Sequence, residues 1–505
     1  MLSRLVDRVL DMFSPRRTAI VQTPRVLTKE EHGIDPKLVS WEAKRTCELL
    51  QRKGYQAYIV GGAVRDLLLG VTPKDFDVAT NATPEQVKRC QKRAIIIGRR
   101  FKLVHVIFGQ EIIECSTFRA LEGAGQRKDS NGRVLSDNVF GEMWEDAARR
   151  DFTVNALYYD PKTQEVFDYH HGFEDLQAKR LCMIGDPCTR YREDPVRMVR
   201  AVRIAAKLGF TMEPATERPI PSMGHLLNNV PSARLVDEFL KLLTSGHAVA
   251  CLRKLRSDGL HRELVPMLDS ILSEEGAEDF LMLALGRTDE RIAQNKPIAP
   301  FFLYATLLWP QVRRRWQYNQ TRKAMKPLPA LHSAASEVLE TQSAELNITR
   351  HMRADIYDVW VLQGRFERRV GKSARSLLAH PRYRAGYDFL VLRADSGQAS
   401  SELAQWWKQF AEALPEERDD MIAQQQRAAR ETADEARRGR HRTEADKRED
   451  ELESMPTLDS LEFEATSFDR DSEVPTRKPS RPRRRGSAHR SKGQRRSNAK
   501  TRQMV

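Results

Sequence analysis

The sequence predicts an α/β head, followed by a long helical remainder and a basic tail that joins no core. Three observations lead there. Between about 40 and 170, short runs of strand character alternate with helical stretches. From about 175 to 430 the β signal is gone and helical periodicity continues alone. Residues 476–505 then hold twelve Lys or Arg and no Asp or Glu, interleaved with Pro, Ser and Gly.

The strand-like runs are Ala57-Tyr58-Ile59-Val60, Asp75-Phe76-Asp77-Val78, Leu103 to Ile107 and Ile112 to Cys115. A polar, Gly-rich stretch around Glu122-Gly123-Ala124-Gly125 reads as a mobile loop. The expected segments are a leader over 1–40, the head over 41–175, helical segments over 176–230, 231–330 and 331–430, and a charged linker with the tail over 431–505. Pro15, Pro24 and Pro36 punctuate the leader, and no repeat of fixed period runs through the chain.

At 505 residues the chain is too long for one compact core. No run of about 18 apolar residues suggests a membrane span, and the first residues lack the order of a secretory signal. Leu2, Leu5, Val6, Val9, Leu10 and Phe13 outline a short amphipathic helix, either docked on the protein or touching a membrane surface. The six cysteines (47, 90, 115, 182, 188, 251) show neither a CxxC pair nor matched His spacing, which fits a reducing cytoplasm better than a zinc or disulfide framework. With twelve charges of the net +14 in the tail, residues 1–475 keep only +2. A tail of this composition is expected to be disordered and to grip polyanion backbones through groups such as Arg483, Arg484, Arg485, Arg495 and Arg496, or to aid solubility.

The most informative stretch runs from Ile59 through Gly61-Gly62-Ala63-Val64-Arg65 to Lys74-Asp75-Phe76-Asp77-Val78. A strand ending at two glycines with a helix directly after is either a tight turn or a place where backbone N–H groups approach a phosphate. Arg65 falls one turn into that helix, within reach of phosphate oxygens. On a strand, Asp75 and Asp77 share one face while Phe76 and Val78 take the other. Two acids on one face repel unless a cation bridges them, and hard oxygen ligands of this kind suit Mg²⁺. Glu114, in an apolar strand-like run, is expected to be buried; it is read as a third metal ligand or as half of a structural ion pair.

Farther on, Arg149-Arg150-Asp151 with Asn155 reads as a grip for a triphosphate and a ribose hydroxyl, or as a capped helix with a surface ion pair. Asp194, Pro195 and Gly209 bracket a helix as N-cap, first residue and C-cap. Arg197, Arg200, Arg203 and Lys207 fall within about 120° of its circumference, opposite Met198, Val199, Val202, Ala205 and Ala206. A stripe of one sign points to nucleotide or RNA phosphates rather than to a plain solvated face.

These clusters, in this order from about Tyr58 to Gly209, resemble the class II nucleotidyltransferase superfamily of bacterial poly(A) polymerases and tRNA CCA-adding enzymes. The resemblance implies a polymerase-β-like head with helical neck, body and leg domains. It assigns metal to Asp75 and Asp77, and nucleotide contacts to Gly62, Arg65, Arg150, Asp194, Arg197 and Arg200. Asp151 matches an active-site aspartate of the poly(A) polymerases and joins Asp75, Asp77 and Glu114 as a catalytic candidate. The nucleotide set read here also includes Gly61, Arg149, Asn155 and Arg203. The resemblance further implies addition of AMP from ATP to single-stranded RNA 3′ ends with two Mg²⁺ ions, on mRNA and small RNAs, beside RNA-decay proteins in the cytoplasm.

The stretches Gly98 to His105 and Asp137-Asn138-Val139-Phe140-Gly141 resemble the poly(A) polymerase version of those segments. So do the helical extension with Trp360, Arg375, His380-Pro381, Trp406 and Trp407, and the basic tail. His171 departs from the family's glycine and is read as a tolerated turn residue rather than as a metal ligand beside His170. The alternatives are a tRNA CCA-adding enzyme, separable by nucleotide and RNA preference, and a non-catalytic RNA-binding protein on the same scaffold, against which both Asp75 and Asp77 count. A P-loop ATPase is excluded, because Gly371-Lys372-Ser373 lacks the upstream glycine.

Overall fold

Strands with alternating inward residues assemble the head. They are β1 (Arg25–Leu27), β2 (Ala57–Val60), β3 (Asp77–Thr80), β4 (Ala94–Ile97), β5 (Leu103–Phe108), β6 (Glu111–Thr117), β7 (Leu157–Asp160) and β8 (Glu165–Asp168). They form one sheet in the order β1-β8-β7-β2-β3-β6-β5-β4. Every pairing is antiparallel except β3 with β6, whose parallel register sets Asp77 opposite Glu114. The computed structural model describes residues 22–98, 102–121, 139–264, 274, 276–431 and 434, with the backbone alone at 127–128, 134–136 and 263–264.

The period-two pattern gives the sheet two packed faces. Ala57, Ile59, Val78, Leu157 and Tyr159 point to the face covered by helix α1 (Trp41–Gln51) and α2 (Gly62–Leu68). Val60, Ala79 and Tyr158 point to the other face, where Met143 and Ala147 of α3 (Met143–Arg149) cover Phe118 and Tyr169. Residues 22–40 are not wholly the irregular leader expected from the prolines. Arg25–Leu27 zips onto β8 at the sheet edge, and Leu27 is fully buried. A three-residue strand is too short to show a period; its partner decides it.

After the sheet come α4 (Pro187–Glu193), α5 (Val196–Leu208), α6 (Ser232–Leu243), α7 (Ala248–Ser257), α8 (Ala277–Ala293), α9 (Pro300–Thr321), α10 (Pro327–Gln342), α11 (Arg350–Phe366), α12 (Tyr383–Asp395) and α13 (Ser401–Glu412). Two short β contacts depart from the all-helical expectation: the parallel pairing of Arg180–Leu181 with Thr211–Met212, and a bridge from Met183 back to Phe152. Four of the five tryptophans of this region are buried, and Trp316 is half-buried. Trp309, Trp360 and Trp407 are fully buried, and their indole N–H groups donate to Gln398 Oε1, Ala305 O and Phe366 O at 2.8–2.9 Å.

Two units are distinguished, Met1–Arg430 and Glu431–Val505, and all that is described here except Glu431 and Asp434 belongs to the first. The amphipathic N-terminal stretch, Arg99 to Phe101, the Gly-rich stretch 122–126, Asp137-Asn138 and the basic tail with Arg483, Arg484, Arg485, Arg495 and Arg496 lie outside the described residues. Among the described residues, no helix is long and apolar enough to cross a membrane.

One close approach sets the segment that carries Asn155. Gly172 opens a short helix against the turn Thr153–Asn155, and a Cβ there would meet Thr153 O. The buried Asp168 carboxylate holds that helix start, accepting from His170, Gly172 and Phe173 N–H at 2.9–3.0 Å. His171 takes the left-handed conformation at φ 59°, the region where glycine is favoured. Gly172→Ala is expected to cost about 2–3 kcal/mol through overpacking against backbone, seen as a lower urea midpoint. His171→Gly should leave that midpoint equal or higher.

Candidate active site

Phe76 and Val78 sink into the head core, while Asp75 and Asp77 keep exposed surface on the other side. The alternation begins before the strand itself, since β3 opens only at Asp77 and Asp75 lies in the preceding loop. Both acids line a cavity of about 930 Å³ between the head and helices α5 and α6. Gly61, Gly62 and Arg65 line the same cavity. Gly61 takes φ 75° and ψ −135°, a backbone state that side chains disfavour, so the turn after β2 needs glycine. Arg65 is buried, donating to Asn155 Oδ1 at 2.7 Å and to Asp66 Oδ1 at 2.6 and 2.8 Å.

The cavity walls crowd around Asp77, and this desolvation raises its carboxyl to about 6, with Glu114 and Asp75 pushing the same way and Arg150 opposing them. Among the described residues no group of three His, Cys, Asp or Glu side chains is gathered tightly enough to hold an ion. An open row of carboxylates, completed by substrate oxygens, is the donor set that Mg²⁺ takes in phosphoryl-transfer sites, so the residues fit that metal. Glu114 corrects the expectation of burial: its side chain is 54% exposed and lies 3.5 Å from His105 Nε2. Ile113 and Cys115 on either side of it point into the core, so the same apolar run puts Glu114 on the open face. Glu114 opens into a second cavity of about 630 Å³, which Asp77 also lines.

Asp151 is buried, and both its oxygens are engaged. Arg200 Nε and Nη2 donate to Oδ2 at 2.8 and 2.6 Å; Phe152 N–H and Asn155 Nδ2 donate to Oδ1 at 2.8 and 3.1 Å. Burial alone would raise its pKa, but the Arg200 guanidinium and these donors hold it well below the usual carboxylate range. Arg150 sits over the Tyr158 ring and pairs with Asp146 at 3.1 Å, its guanidinium near the Cα of Gly61. Arg149 faces the second cavity rather than the first, with Nη1 donating to Ala120 O at 2.7 Å.

The cationic stripe is real: Arg197, Arg200, Arg203 and Lys207 all line the larger cavity, while Met198, Val199, Val202 and Ala205 are buried behind them. Each cation meets an acid from elsewhere. Arg197 meets Glu193 at 3.0 Å, Arg200 meets Asp151, Arg203 meets Glu238 at 3.3 Å and Lys207 meets Asp66 at 3.9 Å. Asp194 does not cap this helix. It ends α4, Pro195 caps α5, and the Asp194 carboxylate binds Arg234 at 2.8 and 2.7 Å.

The sequence reading missed Asp66, Arg190, Glu193, Arg234, Glu238 and Lys241. A signal existed for three of them: Arg234, Glu238 and Lys241 recur at i, i+4 and i+7 on α6, a polar line that flanks the core stripe of Leu235, Phe239 and Leu242. Arg190 had none. Its Nη2 donates to the carbonyls of both Arg149 and Arg150 at 2.6 Å, binding α4 to the end of α3.

A phosphate-sized turn, an acidic row on one sheet face and an arginine-lined helix opposite them define a nucleotidyltransferase. Residues 57–182 match the family described as Poly A polymerase head domain, residues 209–272 a probable RNA and SrmB-binding site of polymerase A, and residues 323–444 a polymerase A arginine-rich C-terminus. Poly(A) polymerase I of Haemophilus influenzae is 44% identical over 80% of this chain and 91% of its own length; that of Salmonella typhi is 41% identical over 79% and 88%. A CCA-adding enzyme of Bacillus licheniformis is 35% identical over 56% of this chain and 69% of its own. A solved CCA-adding enzyme of Bacillus stearothermophilus, in complex with CTP, shares the fold at TM-score 0.50 and 25% identity, covering 73% of this chain and 81% of that one. The chain belongs to the bacterial poly(A) polymerase I family.

The Asp151–Arg200 pair yields a signed pH prediction. A carboxylate whose folded pKa lies below its unfolded value of about 3.9 stabilises the fold above that pH, and the gain fades as pH falls toward the folded value. Asp151→Asn is expected to cost about 2–3 kcal/mol at pH 7, because Arg200 loses its closest acid and keeps Glu238 at 3.7 Å and the more weakly acting Asp194. The difference in urea stability between the two proteins should shrink below about pH 4.

Proposed function

We propose that this chain adds AMP from ATP, without a template, to the 3′ ends of single-stranded RNA, releasing pyrophosphate. The register that sets Asp77 beside Glu114, next to the Gly61-Gly62 turn, carries the reading of nucleotidyl transfer. The choice of AMP rests on the greater likeness to the poly(A) polymerases than to the CCA-adding enzymes.

In this reading Gly61 and Gly62 present bare backbone to the triphosphate, with Arg65 and Arg150 on its oxygens. Arg65, Arg150, Asp151 and Arg200 are already held by their partners before ATP enters, so little ordering remains to be done on binding. Asn155, Asp194, Arg197 and Arg203 take the ribose, base and remaining phosphate contacts. Asp151 acts by holding Arg200 and Asn155 in place. Asp75, Asp77 and Glu114 are the ligands for two Mg²⁺ ions, which supply activation of the 3′-hydroxyl and neutralisation of the leaving pyrophosphate. The wider setting is cytoplasmic turnover of mRNA and small RNAs, alongside decay proteins.

Incubation of an unstructured RNA with each NTP separately and Mg²⁺ tests the reaction: long ladders with ATP alone are expected, whereas C and A addition limited to tRNA would sink the reading. Asp75→Ala and Asp77→Ala should each lower AMP incorporation by several orders of magnitude, roughly 10³-fold or more, with unchanged circular dichroism. More than a few per cent of residual activity would refute the metal assignment. The basic tail is proposed as an RNA tether. Removal of residues 476–505 should flatten the slope of log affinity against log salt by about 0.7 per cation engaged on single-stranded RNA; an unchanged slope would leave the tail without that role.

A further inference from the structure

The second cavity shares Asp77, Arg150, Asp194, Arg197, Arg200 and Arg234 with the first, but its far wall, with Arg119 and Arg149, takes no part in the ATP contacts proposed above. Strands β2, β3 and β6 are neighbours in that order, so Val60 (the residue just before Gly61), Asp77 and Glu114 follow one another across the sheet. Adjacent strands lie about 4.8 Å apart, and Asp77 stands on the line between the two cavities. Beyond it lie Glu114 and Ser116, walled by Arg119 and Arg149. Arg119 follows the end of β6, and Arg149 closes α3.

In nucleotidyl transfer the attacking oxygen and the leaving pyrophosphate stand roughly in line, on opposite sides of the α-phosphorus. With the pyrophosphate at the Gly61–Arg65 end, the 3′-hydroxyl must approach from the Glu114 side. The phosphodiester that precedes this hydroxyl in the RNA then falls within the second cavity. We propose that Arg119 and Arg149 form the cradle for that last phosphodiester of the RNA, a subsite separate from the triphosphate contacts and resting on the transfer reaction proposed above.

Three features support the assignment. The Arg149 guanidinium is fixed in the cavity wall by its bond to Ala120 O, so it is held in place for a ligand. Arg190 and Arg197 share Glu193, leaving this wall rich in positive charge. Burial, together with Arg119, Arg190 and Arg197, pushes Arg149 down to about 10, a strain that an anion in the cavity relieves. The sequence reading grouped Arg149 with Arg150 at the triphosphate; in the structure Arg150 lines both cavities and Arg149 the second alone.

The test uses the full chain and two labelled oligoadenylates, one with all phosphodiesters and one with a neutral methylphosphonate at its 3′-terminal linkage. Binding is read by fluorescence anisotropy without ATP or metal, and KM for RNA and for ATP by AMP incorporation. The neutral linkage should weaken RNA binding and raise the RNA constant roughly tenfold in the unaltered protein, the scale of a lost charge-assisted hydrogen bond. Arg119→Gln and Arg149→Gln should show the same roughly tenfold loss on ordinary RNA and little further loss on the modified one, with ATP constants within about twofold of the parent. Equal handling of both RNAs by the unaltered protein overturns the cradle. So does a rise confined to the ATP constant in the Arg149 variant, which would return that side chain to the triphosphate. Should Arg149→Gln fail to fold through loss of the Ala120 contact, Arg119→Gln and the paired RNAs decide alone. A binding difference without any AMP addition by the unaltered protein supports the cradle and refutes the proposed reaction instead.

Discussion

Arg200 reaches from helix α5 to the Asp151 carboxylate with two hydrogen bonds to one oxygen, and the active cavity is built around that contact. Asp151 belongs to the head, in the turn after α3, and Arg200 to the first long helix beyond it. The other Asp151 oxygen holds Asn155, whose own oxygen accepts from Arg65 behind the Gly61-Gly62 turn. Glu238 of α6 stands on the far side of Arg200 and also meets Arg203 and Lys241. One buried ion pair thus orders a chain of side chains from the glycine turn to the third wall. Burying such charges is costly unless every oxygen and N–H finds a partner, and the saturation of Asp151 meets that condition.

The same logic explains why so cationic a cavity is stable before any phosphate arrives. The stripe on α5 carries four positive charges, and unpaired they would repel one another in a partly desolvated space. Acids from four different places answer them: Glu193 from α4, Asp151 from the head, Glu238 from α6 and Asp66 from α2. In the proposed reaction, incoming phosphates would compete for guanidinium groups that are already aimed, which favours recognition over reorganisation. At the acidic row the balance runs the other way. Burial first, and then the neighbouring Glu114 and Asp75, push the Asp77 carboxyl up, a penalty on its charge that a cation would offset.

The resemblance to nucleotidyltransferases rested on short motifs, and the structure shows why short motifs sufficed. Gly-Gly, the alternating acids and the stripe all act through local rules: positive φ, period two and period 3.6. Each such rule is obeyed where its residues lie, even though β3 starts two residues after Asp75 and α5 starts two after Asp194. Glu114 was less legible. An apolar run argued for burial, yet Ile113 and Cys115 face the core while Glu114 between them faces the second cavity and stays half open. Arg149 and Arg150 were indistinguishable by position, although one stacks on Tyr158 and the other turns toward Ala120.

By itself the sequence determined the alternation of the head, the faces of Asp75, Asp77 and the α5 stripe, and the glycine turn, because these depend on neighbours within one or two turns of chain. Tertiary structure decided the pairing of every charge in the cavity. Asp151 with Arg200, Asp194 with Arg234 and Asp77 opposite Glu114 are separated by 37 to 49 positions and owe their meeting to strand register and helix packing. It also decided that residues 25–27 close the sheet edge and that Gly172 lets Thr153–Asn155 sit beneath the turn. Periodicity records which side of an element faces inward; only the packed chain settles which charge waits on the other side.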